Sequence, residues 1–216
     1  MMNVSAGTHV GKRRTNNEDF FLVTDQVVVV ADGIGGNTRG EEASRTACEE
    51  FVEFITIRAN DVPDDFTARR FLSQAVAFTH NRVRALDSDD GRPGTTLVAM
   101  VEFKFNPSVR YVVNVGDSRC YGEDGQITVD HCDPVFANQL TRCIGVMDEE
   151  PEADIYVVGV EPGDRLVICT DGFYKEFEKL DDSFEIEDAQ EFIDWMVDQE
   201  STWCSDNLTA VFVEIA

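Results

Sequence analysis

VVVVADGIGGNTRGEEAS (residues 27–44) runs from four consecutive valines through an Asp-Gly dipeptide and a glycine-rich link into a helix-forming segment. The valines favour a strand, because β-branched side chains fit a pleated surface. FFLV (residues 20–23) is a second strand only a short connection upstream. Further apolar, β-branched runs at 96–103, 109–115, 127–129, 155–160, 165–170 and 208–215 read as strands. GEDGQ (residues 122–126) is the turn of a hairpin. Helical spacing appears over 39–58, with Ala43, Ala47, Phe51, Phe54 and Ile55 on one stripe and Thr38 as N-cap. It recurs over 65–86 (Phe71, Leu72, Ala75, Val76, Thr79, Val83, Leu86) and over 187–198 (Phe192, Trp195, Met196). Strands that follow strands without regular helices between them pair mainly antiparallel. The expectation is one α+β domain over residues 1–216, with packed sheets covered by helices.

Of 216 residues, 43% are hydrophobic and 28% charged, which supports an ordinary core. Acidic residues number 42 against 18 basic, a net charge of −24. Nucleic acid is a poor ligand for such a chain, since phosphate backbones are bound by Lys and Arg. Most of the charge serves a solvated surface, and part of it is available to hold cations. Six scattered cysteines without a C-x-x-C pair read as reduced, buried residues. No apolar stretch approaches the roughly 20 residues of a membrane span, so the expected location is cytoplasmic.

Asp-Gly occurs at Asp32, Asp90, Asp124 and Asp171. Asp90 and Asp124 sit in polar turns, where Gly would supply positive φ. Asp32 and Asp171 instead follow the apolar runs VVVVA and LVICT. NED (17–19) precedes FFLV, GDS (116–118) ends YVVNV, and SDN (205–207) precedes LTAVFV. Acidic groups at five strand edges exceed what turn chemistry requires. Carboxylate oxygens suit Mg²⁺ or Mn²⁺, and no His/Cys cluster exists for zinc. Two such ions polarise a phosphoryl oxygen and lower the pKa of a shared water. KRR (12–14) stands just before NED as a possible phosphate clamp, with Arg the better fork. DGIGGN (32–37) lacks both the full dinucleotide spacing and a P-loop lysine.

RTNNEDFFLV, VVVVADGIGGNTRGEEAS, GTTLVAMV, VVNVGDSRCYG, ICTDGFY and SDNLTAVFVEI, in this order, together resemble the bacterial metal-dependent protein phosphatases of type 2C. The resemblance implies a β-sandwich of two antiparallel sheets flanked by helices. It also implies hydrolysis of phosphoserine and phosphothreonine by a metal-bridging water, with two Mn²⁺ or Mg²⁺ ions and room for a third. By the same resemblance Asp32 bridges the two metals, the Gly33 carbonyl binds the second with Glu18 nearby, and Asp171 and Asp206 complete the first site. Asp117 with Asp171 matches the third site, Arg14 the phosphate-binding position, and Asp19 and Asn207 the supports behind the ligands. Implied partners are phosphorylated proteins and an opposing bacterial Ser/Thr kinase. The alternative, a pseudophosphatase acting as a binding module, would be marked by loss of a core ligand, yet Asp32, Asp171 and Asp206 are all present.

Three departures stand out. Ile34 replaces a His that eukaryotic relatives carry, so no general acid is assigned. Lys175 stands where an acidic residue is usual. Only seven residues separate Cys132 from Leu140, where relatives carry a longer flap, so the cleft should be more open. His131, alone in this segment, reads as structural.

Overall fold

Val27, Val28, Val29 and Val30 are all fully buried. Their strand, β3 (Val27–Asp32), carries a helical layer on one face and a second sheet on the other. This is why the run is continuous rather than alternating: Val27, Val29 and Ala31 pack toward the helices, Val28 and Val30 toward the other sheet. The computed structural model describes residues 2–34, 39–89, 91–136, 139–177, 188–199 and 203–216.

Around β3 the order is β1 (Met2–His9), β2 (Asp19–Val23), β3, α1 (Gly40–Arg58), α2 (Asp65–Arg84), β4 (Leu97–Val101), β5 (Val109–Val115), β6 (Arg119–Gly122), β7 (Gly125–Gln126), β8 (Asp154–Gly159), β9 (Arg165–Cys169), α3 (Asp171–Phe177), α4 (Ala189–Asp198) and β10 (Leu208–Ile215). One sheet runs β1-β10-β9-β6-β7 and the other β2-β3-β4-β5-β8. Every pairing between these strands is antiparallel. α1 and α2 cover the second sheet, while Phe173, Phe192, Ile193 and Met196 of α3 and α4 pack with Cys169, Leu208 and Ala210 of the first. The result is the expected α+β sandwich flanked by helices. No helix of the described residues is long and apolar enough to cross a membrane.

Local signals account for most boundaries. Asp64 caps α2 by accepting from the Thr67 N–H, and Asp188 caps α4 by accepting from Glu191. Position 38, the expected cap of α1, lies outside the described residues; the residue flanking the helix is Arg39, in the left-handed region at φ 45°. The expected hairpin forms between β6 and β7, with Gly125 at φ 110°. The strand expected at 127–129 does not form. Side chains take its backbone groups instead: the Val129 N–H donates to Tyr156 Oη, and Asn114 Nδ2 donates to the Val129 carbonyl. β1, β6 and α3 have no counterpart in the sequence reading.

Removing a ring at full burial should be far costlier than removing one at the surface. Phe51→Ala on α1, 0% exposed, should lose about 3–5 kcal/mol of stability to urea. Phe66→Ala, 78% exposed on α2, should change it by less than about 0.5 kcal/mol.

Candidate active site

Antiparallel pairing places the end of one strand beside the start of the next, and the acidic residues use this. Asp32 ends β3 directly opposite Asp19, which starts β2. Asp117 follows β5, Asp171 follows β9, and Asp206 precedes β10, whose Ala210 pairs with Cys169 of β9. Arg14, Glu18, Asp32, Gly33, Asp117, Asp171, Asp206 and Asn207 all line one cleft of about 460 Å³, with Ile34, Thr96, Leu140 and Lys175 completing the wall. Asp19 lies outside the lining and is buried.

The charge of this rim is under strain. Burial holds the Asp32 carboxyl well above the usual range, and Asp19, Asp171, Asp117 and Asp206 add to the effect. Burial and then Asp171 push Asp117 up to about 6, with Lys175 opposing. Asp19 is pushed up to about 7, mainly by burial, although hydroxyl hydrogen bonds from Thr209 and Thr170 oppose the rise. Burial also raises Glu18, against the pull of Arg14. Two cations face these groups. Arg14 makes a fork on Asp206, Nε to Oδ1 and Nη2 to Oδ2, both at 2.9 Å. Lys175 Nζ donates to Asp171 Oδ2 at 2.5 Å.

The donor set fits hard divalent cations. All donors are oxygens, and Asp19 Oδ1 is buried without a hydrogen-bond partner. Among the described residues no three Asp, Glu, His or Cys side chains converge on one point. The carboxylates ring the cleft instead, an arrangement suited to ions that retain several waters, as Mg²⁺ does.

Hydroxyls and amides fix the rim. The Asp32 N–H donates to Thr96 Oγ1 at 2.9 Å, and Thr95 Oγ1 donates to the Asp32 carbonyl at 2.8 Å. Thr96 and Ser118 hydroxyls meet at 2.7 Å, tying this strand end to the GDS turn. Thr170 Oγ1 donates to Asp19 Oδ2 at 2.8 Å. Asn207 Oδ1 accepts from the Glu18 N–H, while its Nδ2 donates to the Val10 and Asn16 carbonyls. Thr95, Thr96 and Thr170 escaped the sequence reading; the only signal was their position flanking apolar runs, which most strand threonines share.

The glycines of the four Asp-Gly pairs separate by role. Gly91 and Gly125 have φ of 111° and 110°, as turns require, whereas Gly33 and Gly172 have no positive φ. Their lack of a side chain answers close approach: a Cβ on Gly33 would lie 2.4 Å from the Gly40 carbonyl oxygen, and one on Gly172 2.0 Å from that of Asn207. His131 is structural, as expected. Its N–H donates to the Gly116 carbonyl and its Nδ1 accepts the Gly116 N–H, so Nε2 carries the proton toward Asp154. Both bonds anchor the residue before Asp117. Five of the six cysteines are buried and none is in a disulfide; Cys132 is the correction, partly exposed with Sγ 3.7 Å from Asp117 Oδ2. The short loop after it is closed by a bridge between Cys132 and Leu140, and Val135 and Phe136 on it are 77% and 65% exposed.

A family model described as protein phosphatase 2C matches residues 6–210. A protein phosphatase 2C-type protein of Streptococcus pyogenes is 30% identical over 204 residues, covering 79% of this chain and 78% of the relative. The PPM Ser-Thr phosphatase MsPP of Mycobacterium smegmatis, solved with cacodylate, is 27% identical with a TM-score of 0.79, covering 99% of this chain and 98% of that one. The catalytic domain of the serine/threonine phosphatase PstP, solved with two manganese ions, shares the fold at 22% identity and a TM-score of 0.78, covering 100% and 99%. With the six sequence blocks meeting at one rim of such a sandwich, the chain belongs to the protein phosphatase 2C family.

Proposed function

We propose that this chain is a metal-dependent phosphoprotein phosphatase that hydrolyses phosphoserine and phosphothreonine, with residues 1–216 acting as one catalytic unit. The observation that carries the reading is the set of mutually repelling carboxylates Asp32, Asp117, Asp171 and Asp206 lining a cleft that also holds a guanidinium. A pseudophosphatase would have no use for this electrostatic cost.

In this reading Asp32 would help hold both ions, the Gly33 carbonyl and Glu18 would help hold one, and Asp171 and Asp206 the other. Mn²⁺ or Mg²⁺ fits, as the two manganese ions of PstP accord with an all-oxygen donor set. When bound, such ions polarise a phosphoryl oxygen and make water nucleophilic near neutral pH. The chain's own residues do the rest. Arg14 presents a planar fork, already matched to the two oxygens of Asp206, that fits two phosphoryl oxygens equally. Asp19 and Asn207 hold the strand ends behind the donors. Ile34 offers no proton, so the leaving alkoxide takes its proton from water. Substrates are phosphorylated proteins of the cytoplasm, and an opposing Ser/Thr kinase completes the cycle.

Phosphate release from a phosphothreonine peptide should require Mn²⁺ or Mg²⁺ and vanish with chelator. Asp32→Ala and Asp171→Ala should each lower it on the order of 100-fold or more; a folded, metal-loaded wild type without turnover would sink the proposal. Arg14→Ala should raise KM, and Arg14→Lys should not restore it, because an ammonium lacks the fork.

Metal should also show in stability, independently of turnover. Asp19 and Asp117 have folded pKa values near 7 and 6, above the ordinary 3.8, so the ion-free fold favours their protonated forms. Ion-free stability should therefore fall as pH rises from about 4 through 7. Mn²⁺ at a fixed concentration, about 100 times its Kd at pH 8, should restore roughly 2.7 kcal/mol there and less at pH 5, where protons compete for the carboxylates. A Mn²⁺ gain in thermal melts that is equal at the two pH values, or larger at pH 5, counts against the carboxylate assignment.

The net charge of −24 disfavours the approach of a phosphate dianion, and the cleft cations offset that only locally. Phosphopeptides with basic flanks should be cleaved faster than acidic ones, and the ratio should shrink as salt shortens the Debye length below about 8 Å. Identical rates on both peptides at low salt would refute this.

A further inference from the structure

Lys175 is a cation built into the acidic cleft. It sits one turn after Asp171 on α3, and although the lysine itself is half-exposed, its carboxylate partner is not. The Asp171 side chain is only 16% exposed, and both residues line the same cleft as Asp117 and Asp206. Nζ takes Asp171 Oδ2 at 2.5 Å, and its charge also acts on Asp117. Cys132 Sγ stands 3.7 Å from Asp117 Oδ2. The two carboxylates thus share the field of one ammonium carried on a helix.

Resting on the two-metal reading above, we infer that the Lys175 ammonium takes the place of a third divalent ion between Asp117 and Asp171, so that this chain works with two metal ions and one covalently attached cation. A divalent ion seated there would have to strip Asp171 of its hydrogen-bonded ammonium and then tolerate that ammonium as a like-charged neighbour across a few ångströms. A lysine is suited to the substitution, being a compact point charge on a flexible stem with three donors. It relieves part of the Asp117–Asp171 repulsion without needing metal from solution, and unlike a bound ion it cannot dissociate.

The test is the number of Mn²⁺ ions bound at saturation, by equilibrium dialysis or native mass spectrometry of the intact chain. Wild type and Lys175→Arg should each bind two. Lys175→Asp, which exchanges the cation for a donor, should bind three, and adding Asp117→Asn to it should return the count to two. Lys175→Met, which removes the charge without adding a ligand, should admit a third ion more weakly, and guards against misfolding of the Asp variant. Three ions on the wild type, or two on both Lys175→Asp and Lys175→Met, would overturn the inference while leaving the phosphatase reading intact. No ion on the wild type would overturn the phosphatase reading and this inference with it.

Discussion

Like-charge repulsion at the rim of the sandwich sets the terms for the rest of this molecule. Two unit charges about 4 Å apart interact by about 4 kcal/mol at an effective dielectric of about 20, whereas one neutral hydrogen bond contributes about 1 kcal/mol net. No single hydroxyl can hold Asp32 against four acidic neighbours. The fold meets the cost by placing each carboxylate at the end of a different strand in a rigid pair of sheets, and by bringing in cations: Arg14 on Asp206 and Lys175 on Asp171. An all-oxygen, acidic cleft that is only partly neutralised by protein is the electrostatic counterpart of bound divalent metal.

Rigidity comes from polar side chains that bond backbone rather than each other's charges. Thr95 and Thr96 hold the Asp32 peptide from both sides, and Asn207 binds three backbone groups of the segment 10–18. Such contacts fix position without altering net charge. The glycines complete them by letting backbones approach: at Gly172 the neighbouring strand passes where any Cβ would sit, which brings Asp171 and Asp206 together at the head of α3 and β10.

How far the sequence discloses this depends on the range of each interaction. Strands β3, β5, β9 and β10 are dense in β-branched residues, so local propensity and burial agree and the sheet layers are legible. Asp32 and Asp171 could be told from Asp90 and Asp124 because an apolar run ends at the former, and the glycine φ values show that distinction to be physical. β1, MNVSAGTH, has few β-branched residues and owes its existence to pairing along its whole length with β10, a contact about 200 residues away that no window reveals. α3 spans seven residues, too few for a periodic stripe, so the stacking of Lys175 over Asp171 could not be read. The expected strand at 127–129 failed for the converse reason: its propensity is right, but Asn114 and Tyr156 claim its backbone.

Two of the three departures from the family pattern, Lys175 and the shortened loop, lie by Asp117, while the third, Ile34, follows Asp32 and Gly33. Lys175 faces Asp117 and Asp171, Cys132 abuts Asp117, and Leu140, at the end of the shortened loop, lines the same wall. Arg14, Glu18, Asp32 and Asp206 keep the residue types of the family pattern, and in the proposed reading the same few carboxylates would serve two ions and a phosphate at once. The Asp117 side carries no such triple duty. On the proposed reading, a labile cation can give way to a covalently attached one, and a flap to a short bridged loop, beside Asp117 without disturbing the strand ends that carry Asp32, Asp171 and Asp206.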